Sequence, residues 1–202
     1  MTDVDPRLVS ALRRQLAGRP SDTRRVGWKV GRGDRERIGG EIVLGHLTSA
    51  TLLEPGATYR GGRDADLHAD AEVALELGDE GAISGYGVAL ELVDLAEPGD
   101  AVDIVAANVF HRAVAFGPFG PTAPRDAEAA LVVDGERRAA ARVGEDFAAT
   151  VATVTEILAA VDERPQPGDR IITGAIVQVP IAPGNVVAAA LGGLGSVQVS
   201  VT

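Results

Sequence analysis

Cysteine is absent from the 202 residues, which excludes disulfides, zinc–thiolate centres and a thiol nucleophile, and suits a reducing compartment. Cations are in the minority: 19 Lys and Arg against 29 Asp and Glu give a net charge of −10, the wrong sign for a nucleic-acid or anionic-membrane partner. No run approaches the roughly 20 apolar residues of a membrane span. The opening MTDVDPRLVSALRRQLAGRP lacks the apolar core of a secretion signal, so a cytoplasmic protein is expected. Lysine is the scarcest ionisable type: Lys29 stands alone, and the other eighteen of the nineteen basic residues are arginine. A composition drifted so far toward arginine keeps lysine where it is tolerated or where it is needed. Most lysines are solvated surface charges. Lysine can also do what arginine cannot, since burial can tune an ammonium for proton transfer.

What is present fits one domain, with 46% hydrophobic residues and enough length to bury a substantial core. Leu8, Leu12 and Leu16 recur at a spacing of four between the start signal Asp5-Pro6 and Gly18, which predicts a short amphipathic helix over 5–18. From RVGWKVG to residue 105, short apolar runs separated by Gly, Pro and Asp read as strands and turns. LVVDGERRAAARVG reads as a hairpin turning at Asp134-Gly135, a pair suited to a type I′ turn. DFAATVATVTEILAAVDERPQPGD is the one clear long helix, near 146–161, and the tail from Arg170 gives three strands separated by APGN and GGLGS. With no internal repeat or low-complexity linker, a single mixed, β-dominated domain is the economical reading.

In LHADAEVALELGDE, Asp70, Glu72 and Glu76 alternate with Ala71, Val73, Leu75 and Leu77, so on a strand one face is acidic and the other apolar. A solvated surface strand shows the same alternation. Glu91 is different, because it interrupts the apolar run VALELVDL and a buried carboxylate needs a partner. Asp70, Glu72 and Glu91 together would make a hard, all-oxygen site of the kind that takes Mg²⁺ or Mn²⁺ rather than zinc.

The segments GWKVG, DAEVAL, ALELVD, NVFHRAVAFG, PGDRIITGA and APGNVVAAALGGLGSVQV follow one another from residue 25 to the C-terminus. In order and approximate spacing the chain resembles the 2-keto-4-pentenoate hydratase branch of the fumarylacetoacetate hydrolase superfamily. The resemblance implies an α+β, β-rich fold, a mixed β-roll or barrel with a few flanking helices. Residues 25–202 would form the catalytic domain and residues 1–24 a short N-terminal helical segment. It implies that Asp70, Glu72 and Glu91 hold a divalent metal, Mg²⁺ or Mn²⁺, and that Lys29 is the proton carrier. The substrate implied is a small 2-oxo acid or 2-hydroxydienoate, whose developing enolate charge the metal stabilises as a Lewis acid. Thr173 and Gly174 match a segment that approaches the substrate carboxylate. Asn108, His111 and Arg112 are further candidates to bind substrate, Arg112 as a carboxylate fork; the alternative for them is a capped loop. His46 and His68 read as structural or surface residues.

Three departures from the family pattern bear on function. Asp70 replaces the usual Glu, Val43 stands where the hydratases tend to have an acid before the glycine matching Gly45, and only about one helix remains of a longer N-terminal region. Hydration after ketonisation is the expected activity. The alternatives are decarboxylation of a 2-oxo acid, C–C hydrolysis of an acylpyruvate, and a non-catalytic subunit that partners a related decarboxylase. A homo-oligomer, most simply a dimer built on β-elements, is expected.

Overall fold

Asp5 caps the first helix, α1 (Pro6–Ala17), its carboxylate accepting the Arg7 N–H at 2.8 Å, and the helix buries Leu8, Ala11, Leu12 and Gln15. The computed structural model describes residues 5–32, 42–62, 65–96, 99–144 and 146–202. The strands that follow are β1 (Arg25–Arg32), β2 (Ile42–Thr48), β3 (Leu52–Leu53), β4 (Thr58–Tyr59), β5 (Leu67–Leu77) and β6 (Ile83–Asp94). Helix α2 (Ala101–Ala106) leads into β7 (His111–Gly120), β8 (Glu128–Val133) and β9 (Glu136–Arg142). Helix α3 (Phe147–Ala159) precedes β10 (Arg170–Ile172), β11 (Val177–Pro180), β12 (Val186–Leu191) and β13 (Gly195–Val201).

These strands form two sheets. The larger runs β2-β1-β10-β5-β6-β7-β3, with β11 also on β5, and curls into a half-barrel; the smaller runs β4-β13-β12-β8-β9. The main core lies between them, where Val73, Leu75 and Leu90 of the first sheet meet Leu131, Val187, Leu191 and Val199 of the second. The opposite face of the larger sheet carries a smaller apolar cluster, including Ala74, Ala89, Val114 and Ile172. Both faces are therefore covered. Among the described residues no helix is long and apolar enough to cross a membrane.

The expected elements at the ends are present. Asp134 and Gly135 both take positive φ, 53° and 81°, as a type I′ turn requires, and Asp146 caps α3 by accepting the Ala149 N–H. Three features differ from the sequence reading. Strand β5 is buried on both faces from Ala69 to Leu75, so its acidic side is not a solvated surface. Helix α2 replaces the end of the expected β region, capped by Asp100, whose carboxylate accepts the N–H groups of Val102 and Asp103. The tail has four strands, because Thr173–Ile176 separates β10, which pairs with Ala74–Glu76, from β11, which pairs with His68–Ala71. On this side of β5 the break leaves Glu72 without a ladder partner, although Ala89 pairs with it on β6.

Candidate active site

Strands β5 and β6 run antiparallel with Asp70 directly opposite Glu91 and Glu72 opposite Ala89. Like charges placed across a strand pair repel, more so out of water, and here all three carboxylates are buried, at 4%, 2% and 0% exposure for Asp70, Glu72 and Glu91. One oxygen from each lies within 4.8 Å of the others. The protein meets these oxygens unevenly. Glu72 Oε2 accepts the Gly174 N–H at 2.7 Å, where φ of 102° suits glycine and turns the amide inward. Glu91 Oε1 takes Lys29 Nζ at 2.6 Å and His111 Nδ1 at 2.7 Å. Among the described residues, Glu91 Oε2 and Asp70 Oδ1 are buried without a hydrogen-bond partner. Buried bare carboxylate oxygens converging on one point fit a hard divalent cation.

The protonation preferences agree with that fit. Burial, reinforced by the charge of Glu91, pushes Asp70 up to about 7, against the opposing pull of Lys29 and Gln178. Glu72 is raised well above the ordinary carboxylate range by burial and by both neighbouring acids. For Glu91 burial acts upward too, but Lys29 and His111 outweigh it and hold the group below its usual value. Without a cation the cluster therefore favours charge on Glu91 and disfavours it on Asp70 and Glu72.

Lys29 comes from β1, paired with Gly45 on β2 and Ile172 on β10. It is 4% exposed, and its stem lies over Gly45, where a Cβ would fall 2.6 Å from Lys29 Cγ. Its ammonium sits between Glu91 and the Val109 carbonyl, to which it donates at 2.8 Å. Trp28, on the other face of the strand, donates its indole N–H to Asp169 Oδ2 at 3.2 Å. A pocket of about 220 Å³ opens on Lys29, Asp70, Glu72 and Glu91, with Arg32 and Gln178 at its polar side and Val93, Ile104, Val109 and Phe110 at its apolar side.

The remaining candidates from the sequence are distributed differently. His111 is behind Glu91, not in the pocket, and its Nε2 lies 2.9 Å from Thr51 Oγ1. Asn108 brackets the His46 backbone, accepting its N–H at 2.8 Å and donating to its carbonyl at 3.1 Å. Arg112 points away to Asp94, 3.4 Å, and borders a separate pocket with Asp103. Thr173 is fully buried, and its carbonyl accepts Arg32 Nε at 3.0 Å. Burial holds His46 down at about 4, as suits a structural histidine, and its Nδ1 lies 3.1 Å from Gln15 Oε1. Val43 packs with Val109 over Gly31. Arg32, Gln178 and Phe110 escaped the sequence reading. Gln178 reaches the site only through its register opposite Asp70 on β11, which no local pattern reveals.

No protein-family model matches the chain, and no curated protein matches its sequence. Solved structures do. One is 4-oxalocrotonate decarboxylase from Pseudomonas putida G7, complexed with magnesium and adipate; it is 20% identical with a TM-score of 0.83, over 96% of this chain and 86% of that one. The fold is that of the fumarylacetoacetate hydrolase-like proteins. Two others sharing the fumarylacetoacetate hydrolase-like fold match with lower scores. Fumarylpyruvate hydrolase from Pseudomonas aeruginosa, in complex with Mn²⁺ and pyruvate, is 21% identical at a TM-score of 0.66, covering 91% of this chain and 93% of that one. 5-Carboxymethyl-2-hydroxymuconate delta-isomerase from Mycobacterium smegmatis is 19% identical at 0.65, covering 88% and 80%. Decarboxylase, hydrolase and isomerase thus share this scaffold, so the reaction has to be argued from the site.

Proposed function

We propose that the chain is a divalent-metal-dependent lyase acting on a small 2-oxo acid, and that it releases CO₂ from a vinylogous β-keto acid. The observation that carries the reading is the convergence of three buried carboxylates, two of them with bare oxygens, beside the chain's only lysine. Asp70, Glu72 and Glu91 would hold the cation, which when bound supplies a Lewis acid for the substrate's 2-oxygen. The C–C bond to the departing carboxylate breaks, its electron pair moves through the alkene to the 2-oxygen, and Lys29 gives a proton to the carbon chain. Val93, Ile104, Val109 and Phe110 line the apolar side, where they keep water from the developing charge.

Decarboxylation is favoured over hydration because it needs a proton but no activated water. Among the described residues lining the pocket, the only carboxylates are the three ligand candidates, and there is no histidine. At the position where hydratases tend to carry an acid, Val43 is buried against Val109 and Gly31. The ordered motifs that resemble the hydratase branch support hydration as the second reading.

The test is turnover by the purified protein with Mg²⁺ on a 2-oxo-3-enedioate and on a 2-hydroxy-2,4-dienoate, with products identified by NMR and CO₂ measured. The proposal expects Mg²⁺-dependent CO₂ release. A water adduct without CO₂ would establish the second reading instead, and no turnover unless a related decarboxylase is added would mark a partner subunit. A homo-oligomer is proposed as the working form, and a single-chain mass by light scattering at micromolar concentration would contradict it.

A further inference from the structure

In the segment NVFHR, Val109 and Phe110 line the pocket, whereas Asn108, His111 and Arg112 do not, their side chains contacting His46, Glu91 and Asp94. Asn108, Val109 and Phe110 take three consecutive left-handed conformations, with φ of 64°, 53° and 62°. Such conformations are uncommon outside glycine, and for a β-branched residue such as Val109 they are true outliers, which persist only where the surroundings over-determine them. Here the surroundings do so. The Asn108 side chain is bracketed on His46, Val109 N–H donates to the Ile104 carbonyl at 2.8 Å, and His111 N–H donates to the Asn108 carbonyl at 3.0 Å. Asp94 N–H closes the turn on the Phe110 carbonyl at 3.1 Å.

The turn delivers two contacts to one ion pair. It aims the Val109 carbonyl at Lys29 Nζ, 2.8 Å, and it starts β7 so that the His111 ring meets Glu91 Oε1 at 2.7 Å. The second ring nitrogen is engaged by Thr51 Oγ1 at 2.9 Å, which removes the ring's freedom to rotate. With Lys29 and His111 both on Oε1, Glu91 has one oxygen committed to protein and Oε2 bare among the described residues. We propose that residues 108–111 and Thr51 form the positioning element of the site, holding Lys29 in place and making Glu91 a one-oxygen ligand through Oε2. This rests on the metal-dependent reading above. His111 is a positioning residue that acts through Glu91 and does not touch substrate.

The experiment is Mn²⁺ titration by calorimetry on the metal-free protein and its His111→Leu, His111→Asn and Thr51→Val variants, each checked for folding by circular dichroism. Groups that orient a ligand typically set metal affinity by about 10–100-fold. The wild type should bind one Mn²⁺ per chain, His111→Leu about 10–100-fold more weakly, Thr51→Val several-fold more weakly, and His111→Asn should recover part of the loss through its amide donor. A purely structural histidine would lower the melting temperature and leave the Mn²⁺ affinity of the folded protein unchanged. Affinity within about two-fold of wild type in the folded variants overturns the inference. If His111→Leu does not fold, Thr51→Val and His111→Asn carry the same decision. A wild type that binds no Mn²⁺ overturns the metal-dependent reading and this inference with it, whereas wild-type binding that the variants leave unchanged overturns only the inference.

Discussion

Lys29 is held by Glu91 and the Val109 carbonyl over the bare face of Gly45, a slot that admits a thin stem with a point charge at its end. A guanidinium is broader and does not release its proton. Lys29→Arg should therefore be nearly as damaging as Lys29→Ala, with turnover reduced about 10²–10⁴-fold, and steady-state kinetics on the decarboxylation substrate checks it. Wild-type turnover in Lys29→Arg would reduce the residue to a simple charge. Glu72→Gln keeps volume and the Gly174 contact but removes a ligand charge, so Mg²⁺-dependent activity should be lost while the fold remains, read by activity together with circular dichroism. What the residue scale disclosed in sequence was chemical oddity: a lone lysine, and a glutamate inside an apolar run. What it hid was partnership. His111 meets Glu91 across 20 positions and Arg112 turns outward although it is the next residue, a distinction set by strand alternation and not by composition.

At the scale of elements, the site depends on β1 lying against β10, which brings Lys29 opposite Ile172 and sets it and the Thr173–Ile176 break on the same flank of β5. Gly27 makes that pairing possible, because with φ of 152° a Cβ there would lie 1.9 Å from the Arg170 carbonyl oxygen. Gly27→Ala should cost roughly 3 kcal/mol or more, measured by denaturant unfolding, because it forces two backbones apart. An unchanged midpoint would mean that the pairing tolerates a shift. Strands and the two longer helices were legible from periodicity, as was the start of α1 from Asp5-Pro6, whereas the Asp146 cap of α3 emerged only in the structure. Helix α2 was not, since its 6 residues are too few to show a period and only its Asp100 cap gives it away. The double burial of β5 was also hidden, because alternation along one strand does not say what covers its acidic face.

For the molecule as a whole, the metal-free cluster links stability to pH. Asp70 has a folded-state pKa of about 7, above its ordinary 3.8, so the unfolded chain gives up this proton first. The stability from that protonated carboxyl is complete below about 3.8 and lost as pH rises through 7, and Glu72 acts in the same direction. A bound cation replaces those protons. The rise in melting temperature produced by Mg²⁺ should therefore be larger at pH 8 than at pH 5.5, and an equal rise at both would show that binding displaces no protons from the cluster.

A divalent cation belongs among Asp70, Glu72 and Glu91 if these residues form a metal centre. Crystals grown with Mn²⁺ and measured at an energy where manganese scatters anomalously locate it without assumption. The expected result is one anomalous peak per chain, bounded by Asp70, Glu72 and Glu91, with Glu91 turned to it through Oε2 and Lys29 still on Oε1. No peak there, or a manganese bound elsewhere while the three carboxylates stay in contact only with protein and water, would contradict the claim that this site is a metal centre.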